Sequence, residues 1–164
     1  MTLVYFDLET GGVEMRHPVI QLAAIAVTDG EAVADFEQKI QFDEAVCEPK
    51  ALEINHYNSK DWAEAVTGPV AASRFSAWLR PYCTEQRISK AGNPYQVALL
   101  AGYNALTFDY PRLKALFGTQ FLPCDVRVRD VLQRALFYFD EHPDVPKPEN
   151  FKLATVAAAF GIET

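Results

Sequence analysis

The stretch FDLETGG, residues 6–12, ends the first apolar run of the chain, which begins at Thr2. The run is short, is rich in β-branched, aromatic and aliphatic residues, and stops at two glycines, which predicts a buried strand followed by a turn. Because side chains alternate along a strand, Asp7 and Glu9 are expected on one face and Leu8 on the other. Two carboxylates are therefore predicted to converge at the tip of a buried strand.

This acid pair is a candidate metal site. Carboxylates that lie close together at the end of an apolar strand repel each other and lose hydration, and a divalent cation compensates for both effects. Oxygen ligands favour magnesium or manganese over zinc. The alternative is a solvated surface pair, because a D-x-E triplet is common in a chain with 22 acids. The apolar strand before the pair, and Thr10-Gly11-Gly12 after it, which lets backbone approach a ligand, favour the metal site.

A second feature, GYNALTFD at residues 102–109, follows an apolar run that ends at Ala101. A strand here is expected to lead into a helix that Asn104 caps, with Asp109 pointing from its early turns toward the strand tips. The alternative is that Asn104 is only a cap and that Asp109 only favours the helix dipole. Together with Asp7 and Glu9, Asp109 predicts a cluster of three carboxylates.

The rest of the chain reads as alternating layers of strand and helix. Apolar runs predict strands at 19–28, 31–42 and 96–101, with a hairpin at Asp29-Gly30. Helical spacing predicts helices near 51–54, from Ser59, and at 70–82, 106–117 and 150–160, with Gly161 as a stop. Residues 126–139 are apolar with arginines at intervals, and residues 84–95 are expected to form a polar, turn-rich loop. This order predicts one α/β domain over residues 1–164.

Composition narrows the class of protein. With 164 residues, 18.3 kDa and 49% hydrophobic residues, the chain is long enough for one buried core and too short for two comfortable domains. Its three cysteines contain no CxxC pair, which favours reduced thiols over a zinc knuckle or a disulfide framework. The N-terminus has no basic region before a long apolar run. We therefore expect a soluble, cytoplasmic protein with no membrane partner.

The net charge of −7 argues against a protein that holds nucleic acid by covering phosphates with Lys and Arg. Any nucleic-acid role must be confined to a cleft, where a bound cation supplies positive charge. Arg80, Arg87 and Lys90 are candidates for phosphate contacts, although a solvated rim is the simpler interpretation.

Both acidic motifs resemble those of the DEDD superfamily of 3'-to-5' exonucleases, in particular the DnaQ-like group that includes the proofreading subunit of bacterial DNA polymerase III. FDLETGG matches the first motif, and residues 104–109 (NALTFD) match the second, NxxxFD. Their order and separation agree with the family, as does ALEINHY at residues 51–57. The resemblance implies an RNase H-like three-layer fold, with a mixed five-stranded sheet flanked by helices. It also implies two bound magnesium or manganese ions and the removal of nucleotides from the 3' end of DNA or RNA.

The resemblance assigns roles to individual residues. Asp7, Glu9 and Asp109 are the expected catalytic metal ligands, with Asp7 bridging both ions. The expected substrate-binding residues are Leu8, Thr10, Gly11, Gly12, Ile54, His56, Asn104 and Phe108. Phe108 is otherwise a core residue, and His56 is otherwise an exposed histidine. The implied partners are a nucleic-acid 3' end and a polymerase or another replication or repair protein.

The family's third motif, HxAxxD or YxxxD near the C-terminus, supplies a fourth carboxylate and a general base, and it is not found near the end of these 164 residues. Residues 150–162 resemble the helix that precedes this motif in the His-containing branch. We therefore expect a domain without its final helix. Three interpretations stay open: an exonuclease whose last helix is missing here, a catalytically impaired nucleic-acid-binding or interaction module, and a scaffold whose acid pair is fortuitous.

Overall fold

Within residues 1–162, the part of the chain that the structure describes, the computed structural model forms seven strands and five helices. The strands are β1 (Thr2–Thr10), β2 (Val19–Thr28), β3 (Glu31–Lys39), β4 (Glu85–Ile88), β5 (Pro94–Val97), β6 (Leu100–Gly102) and β7 (Arg129–Asp130). The helices are α1 (Pro49–Ile54), α2 (Gly68–Leu79), α3 (Asp109–Phe117), α4 (Val131–Glu141) and α5 (Leu153–Ala159).

Five of the strands form one mixed sheet in the order β3-β2-β1-β6-β7. The first three are antiparallel, whereas β1, β6 and β7 run parallel. Strands β4 and β5 form a separate two-stranded hairpin. The predicted mixed five-stranded sheet with flanking helices is therefore confirmed. Within residues 1–162, none of the helices has the length and apolar character needed to cross a bilayer.

The hairpin between β2 and β3 has the predicted turn. Asp29 has a φ of 52° and Gly30 a φ of 91°, and positive φ at both positions is what a two-residue type I′ turn requires. Asp, and above all Gly, adopt such angles at low cost. The turn fixes the register of the antiparallel strands and so fixes which face of the sheet each side chain occupies.

The alternation of β1 divides the molecule into layers. Val4, Phe6 and Leu8 are buried in the main core, where they pack with residues of α2 and α3. On the opposite face of the sheet, Tyr5 is exposed and lines a cavity together with residues of α4 and α5. Helices thus lie on both faces, and the two carboxylates of β1 belong to the face opposite the main core.

Two sequence predictions in the middle of the chain are wrong. Residues 84–95 are not a loop but contain most of the β4–β5 hairpin, whose turn is closed by a 2.8 Å hydrogen bond from Ser89 N to Asn93 O. The predicted strand at 96–101 is divided, because its first residues pair with β4 and its last residues form β6. Polar side chains on both hairpin strands hid the pairing.

Two predicted helices also differ. Ser59 lies in a series of turns, and Trp62 is held there by a 3.1 Å hydrogen bond from its indole N–H to Ile20 O. The helix expected from residue 106 begins at Asp109. The helices at 51–54, 70–82 and 150–160 are confirmed with small shifts of their ends.

Candidate active site

The two acids of FDLETGG lie on one side of β1, as predicted. Leu8 between them is buried in the core, so the alternation holds through the motif. Partial loss of hydration raises the pKa of Asp7. The pKa of Glu9 is raised first by burial and then by the negative charge of Asp7. The acids therefore destabilise each other's charged forms.

Asp109 brings the second motif to the first. It is the first residue of α3 and is 4% exposed. Its Oδ1 accepts a 3.3 Å hydrogen bond from the backbone N–H of Leu8, the residue between Asp7 and Glu9. Burial, followed by the charge of Asp7, raises the pKa of Asp109 to about 7. A hydrogen bond between residues 101 positions apart therefore brings Asp109 to the end of β1, beside the acid pair.

The chemistry of these three acids fits a divalent cation. Within residues 1–162, none of the three pairs with a basic side chain. All three offer oxygen donors, and a cation offsets the loss of hydration that raises their pKa values and the negative charge of Asp7 that raises those of Glu9 and Asp109 further. The side chains do not already form a closed cage, since no group of three His, Cys, Asp or Glu residues in this range is arranged to hold an ion. An ion bound here has to draw the carboxyl groups together.

The turn after β1 is more tightly packed than the sequence suggested. The Thr10 hydroxyl donates a 2.8 Å hydrogen bond to Gly12 O. A Cβ atom on Gly11 would lie 2.3 Å from the Sγ of Cys47, and one on Gly12 would lie 2.3 Å from the Nδ1 of His17. These glycines are therefore required by the packing of the chain itself, which is a different reason from the approach of a ligand.

The segment at residues 54–56 lies beside this turn. The side-chain amide of Asn55 donates a 2.9 Å hydrogen bond to Thr10 O and so ties the end of α1 to the first motif. Ile54 and His56, the predicted substrate contacts, flank Asn55 in the sequence, and both are exposed. The sequence analysis missed Asn55, although its place in ALEINHY was the available signal.

Asn104 does not cap α3. Its φ is 56°, and its side chain accepts a 2.7 Å hydrogen bond from the Thr107 hydroxyl within a tight turn that precedes the helix. The carboxylate of Asp130 accepts hydrogen bonds from the backbone N–H groups of Asn104 and Leu106, at 3.2 and 3.0 Å. Asp130, which the sequence analysis missed, therefore holds the NxxxFD turn against the end of β7.

Phe108 is half-buried and has one face covered by a cation. The guanidinium carbon of Arg112 lies 3.7 Å from the centre of the Phe108 ring. The same guanidinium donates hydrogen bonds to Phe108 O and to Val13 O in the loop after β1. Arg112 thus links the two motifs, and no feature of the sequence singled it out.

An open apolar cavity of about 490 Å³ lies next to Asp7. Tyr5 and Ile25 form its floor on the sheet, and Val131 of α4 and Leu153 of α5 form its far wall. Tyr103 lies between them and is held by a 2.7 Å hydrogen bond from its hydroxyl to Phe151 O. The carboxylate end of β1 therefore opens onto an extended groove.

Comparison with known proteins gives the fold an external check. No protein-family model and no curated protein matches the chain. Solved structures of exonuclease I do match: one has a TM-score of 0.75 and 18% identity over 99% of this chain. E. coli exonuclease I in complex with a dT13 oligonucleotide has a TM-score of 0.72 at 19% identity, and an ExoI/SSB-Ct complex has 0.73 at 19%.

In each case the match covers 99% of this chain but 36% of the neighbour, so the chain spans little more than a third of the length of these proteins. At this level of identity the likeness concerns the fold. It confirms the predicted RNase H-like α/β fold over almost the whole chain.

Proposed function

We propose that this chain is the nuclease domain of a magnesium- or manganese-dependent 3'-to-5' exonuclease that removes nucleotides from the 3' end of DNA or RNA. The observation that carries the proposal is the hydrogen bond from Leu8 N to Asp109 Oδ1, which joins the FDLETGG and NxxxFD motifs at one point of the sheet. The shared fold with exonuclease I, one structure of which contains an oligonucleotide, supports it.

The chain's own residues have defined roles in this proposal. Asp7, Glu9 and Asp109 hold the metal, and the hydrogen bond from Leu8 keeps the Asp109 carboxylate directed at the acid pair. A divalent cation bound there supplies positive charge to the scissile phosphate and lowers the pKa of a coordinated water. The backbone of residues 8–12 and the exposed Ile54 and His56 border the position of the terminal nucleotide.

Finer assignments follow from the resemblance. We place the chain in the DnaQ-like group, in the His-containing branch, because residues 150–162 match the helix that precedes the HxAxxD motif. Residues 1–164 then belong to one exonuclease-like domain, act in the cytoplasm, and meet a nucleic-acid 3' end together with a polymerase or another replication or repair protein.

A second candidate is a catalytically impaired module that binds nucleic acid or another protein on the same fold. This candidate stays open because residues 126–164 contain neither HxAxxD nor YxxxD, the two forms of the third motif. The two candidates differ in the sequence that follows Thr164: an HxAxxD motif there supports the enzyme, and a stop codon there supports the module.

The decisive experiment is a nuclease assay with the complete protein. A single strand labelled at its 5' end and incubated with Mg²⁺ should give a ladder of shortened products, and a strand with a blocked 3' end should not. Asp7→Asn should abolish the ladder. An intact strand after long incubation would reject the enzyme, and a Mn²⁺-dependent rise in melting temperature in the same preparation would then favour the module.

A further inference from the structure

Three arginines gather around one buried acid away from the carboxylate site. The Asp125 side chain, 3% exposed, forms ion pairs with Arg87, with Arg127 at 3.3 Å and with Arg129 at 3.7 Å. Burial raises the pKa of Asp125, but the hydrogen bonds from Arg87 and Arg127 outweigh burial and hold the pKa well below its usual range. Asp125 therefore stays charged and anchors what we name the arginine cluster, namely Arg87, Arg127 and Arg129.

The arginine cluster keeps an excess of positive charge. Glu85 lies 3.5 Å from Arg87, so two acids face three guanidinium groups. The side chains of Arg127 and Arg129 are 72% and 41% exposed, so both reach solvent although they are anchored. Guanidinium groups held in place lose little freedom on binding, and their geometry suits paired hydrogen bonds to a phosphate. The chain as a whole has a net charge of −7, so the arginine cluster is a local concentration of positive charge on an acidic protein.

The register of the sheet puts Arg129, one member of the arginine cluster, on the face that carries Asp7 and Glu9. Arg129 lies opposite Ala101, which lies opposite Tyr5, and residues aligned across neighbouring strands point to the same side. Arg129 is therefore on the face of Tyr5 and Asp7. Ordinary strand spacings place it about 10 Å across the sheet and about 7 Å along the strands from Asp7.

The apolar cavity beside Asp7 extends toward β7. Its lining includes Asp7 and Val131, which follows Arg129 by two positions. Its floor carries Tyr5 and its side Tyr103, whose rings offer surfaces for stacking nucleobases. A nucleic-acid strand that lies in this cavity with its 3' end at Asp7 brings its phosphates toward β7, at the edge of the sheet.

We infer that the arginine cluster binds the phosphodiester backbone of a nucleic-acid strand whose 3' end occupies the carboxylate site. This inference rests on the proposed function and adds the path that the bound nucleic-acid strand takes away from the carboxylate site. Other exposed arginines are placed differently: Arg16 is paired with Glu14 at 2.9 Å, and Arg74 donates to Gln38 at 2.8 Å, each without a buried anchor. These two serve as matched controls.

The test compares two double variants of the complete protein, Arg127→Ala with Arg129→Ala, and Arg16→Ala with Arg74→Ala. Binding of fluorescein-labelled oligo-dT and oligo-rU is measured by anisotropy without divalent ions over a series of salt concentrations. The first variant should bind at least about tenfold more weakly, and its slope of log K against log salt should fall by about 1.4 for two lost phosphate contacts. The control should bind like the wild type.

Further measurements separate binding from folding and from the proposed function. The double variant Arg127→Lys with Arg129→Lys should recover most of the salt dependence, whereas a merely structural role would leave its binding as weak as that of the Ala variant. Equal binding by the two Ala variants, or displacement of the oligonucleotide by poly-glutamate at equal charge, would overturn the inference. Failure of the metal and nuclease assays, with cluster-dependent binding intact, would instead reject only the proposed enzyme.

Discussion

Asp109 and Asp125 are the same residue type, and each is 4% exposed, yet their electrostatic environments are opposite. Burial and the charge of Asp7 raise the pKa of Asp109 to about 7. Burial also raises the pKa of Asp125, but Arg87 and Arg127 reverse the effect and bring the pKa well below its usual range. The difference lies in the partners, since one acid faces acids and the other faces arginines.

This contrast shows where the fold leaves an interaction unsatisfied. Asp125 is fully compensated by side chains of the chain itself, which is the arrangement expected of a structural ion pair. Asp109 accepts a backbone hydrogen bond from Leu8, and the negative charge of Asp7 raises its pKa more than the nearby Arg112 lowers it. Buried groups with perturbed pKa values that the protein does not compensate are characteristic of functional sites. The uncompensated environment of Asp109 is what the proposed function requires of a metal ligand, whereas the environment of Asp125 supports a structural role.

The largest expected effect comes from replacing Asp125, the acid that faces the arginines. Asp125→Asn should lower the free energy of unfolding by about 3 kcal/mol at pH 7, because the buried carboxylate loses its charge-assisted hydrogen bonds from Arg87 and Arg127. Urea denaturation measures the change. Asp140→Asn is the matched control, since its 2.6 Å pair with Lys147 is exposed on both sides and should contribute less than about 1 kcal/mol. Equal losses in the two variants would contradict the assignment.

Asp109→Asn should act in the opposite direction and stabilise the metal-free protein by about 2 kcal/mol at pH 8. The change removes a buried negative charge beside Asp7, while the amide oxygen can still accept the hydrogen bond from Leu8 N. A full shift of the pKa from 3.8 to about 7 corresponds to about 4 kcal/mol, and relaxation and water penetration reduce it. A destabilised variant in the same denaturation experiment would show that Asp109 is structural.

The two acids also predict opposite pH dependences. The folded-state pKa of Asp109 is raised, so the folded protein binds a proton more tightly, and stability falls as pH rises from about 4 to about 7. The pKa of Asp125 is lowered, so its stabilisation is present above about pH 4 and is lost below it. Denaturation of the metal-free wild type should show a loss of about 1.5 kcal/mol between pH 5 and pH 8. Asp109→Asn should remove most of this loss, and the raised pKa values of Asp7 and Glu9 account for the remainder. A pH-independent wild type would count against the raised pKa of Asp109.

Much of the fold, and the placement of Asp7 and Glu9 on one face of β1, was predictable because the signals were local. The apolar runs at 2–8 and 19–28, the Asp29-Gly30 turn and the alternation through FDLETGG depend on neighbouring residues, and each was confirmed. The β4–β5 hairpin was missed because cross-strand pairing of polar residues leaves no apolar pattern in the sequence. Asn104 was misassigned because its turn is held by Asp130, which is 26 positions away.

Arg112 and the arginine cluster were unpredictable for the same reason. Arg112 reaches Val13 across 99 positions, and Arg87 reaches Asp125 across 38. Arg87 appeared in the sequence only as a member of a basic rim, and nothing local indicated that a buried acid would hold it. Long-range polar contacts of this kind follow from the tertiary fold and not from periodicity, so they are what the structure adds.

The smallest expected effect is the stabilisation of the protein by a bound Mn²⁺ ion. At ten times its dissociation constant, Mn²⁺ should stabilise the protein by about 1.4 kcal/mol, a rise in melting temperature of about 4 °C at pH 8. The rise should be smaller at pH 5, where protons compete with the ion for Asp109. Asp7→Asn should remove the rise, whereas Asp140→Asn should retain it. The arginine cluster already compensates the charge of Asp125, so Asp125 should not bind the ion. If the Mn²⁺-dependent rise in melting temperature disappeared in Asp125→Asn and not in Asp7→Asn, the carboxylate site would be rejected.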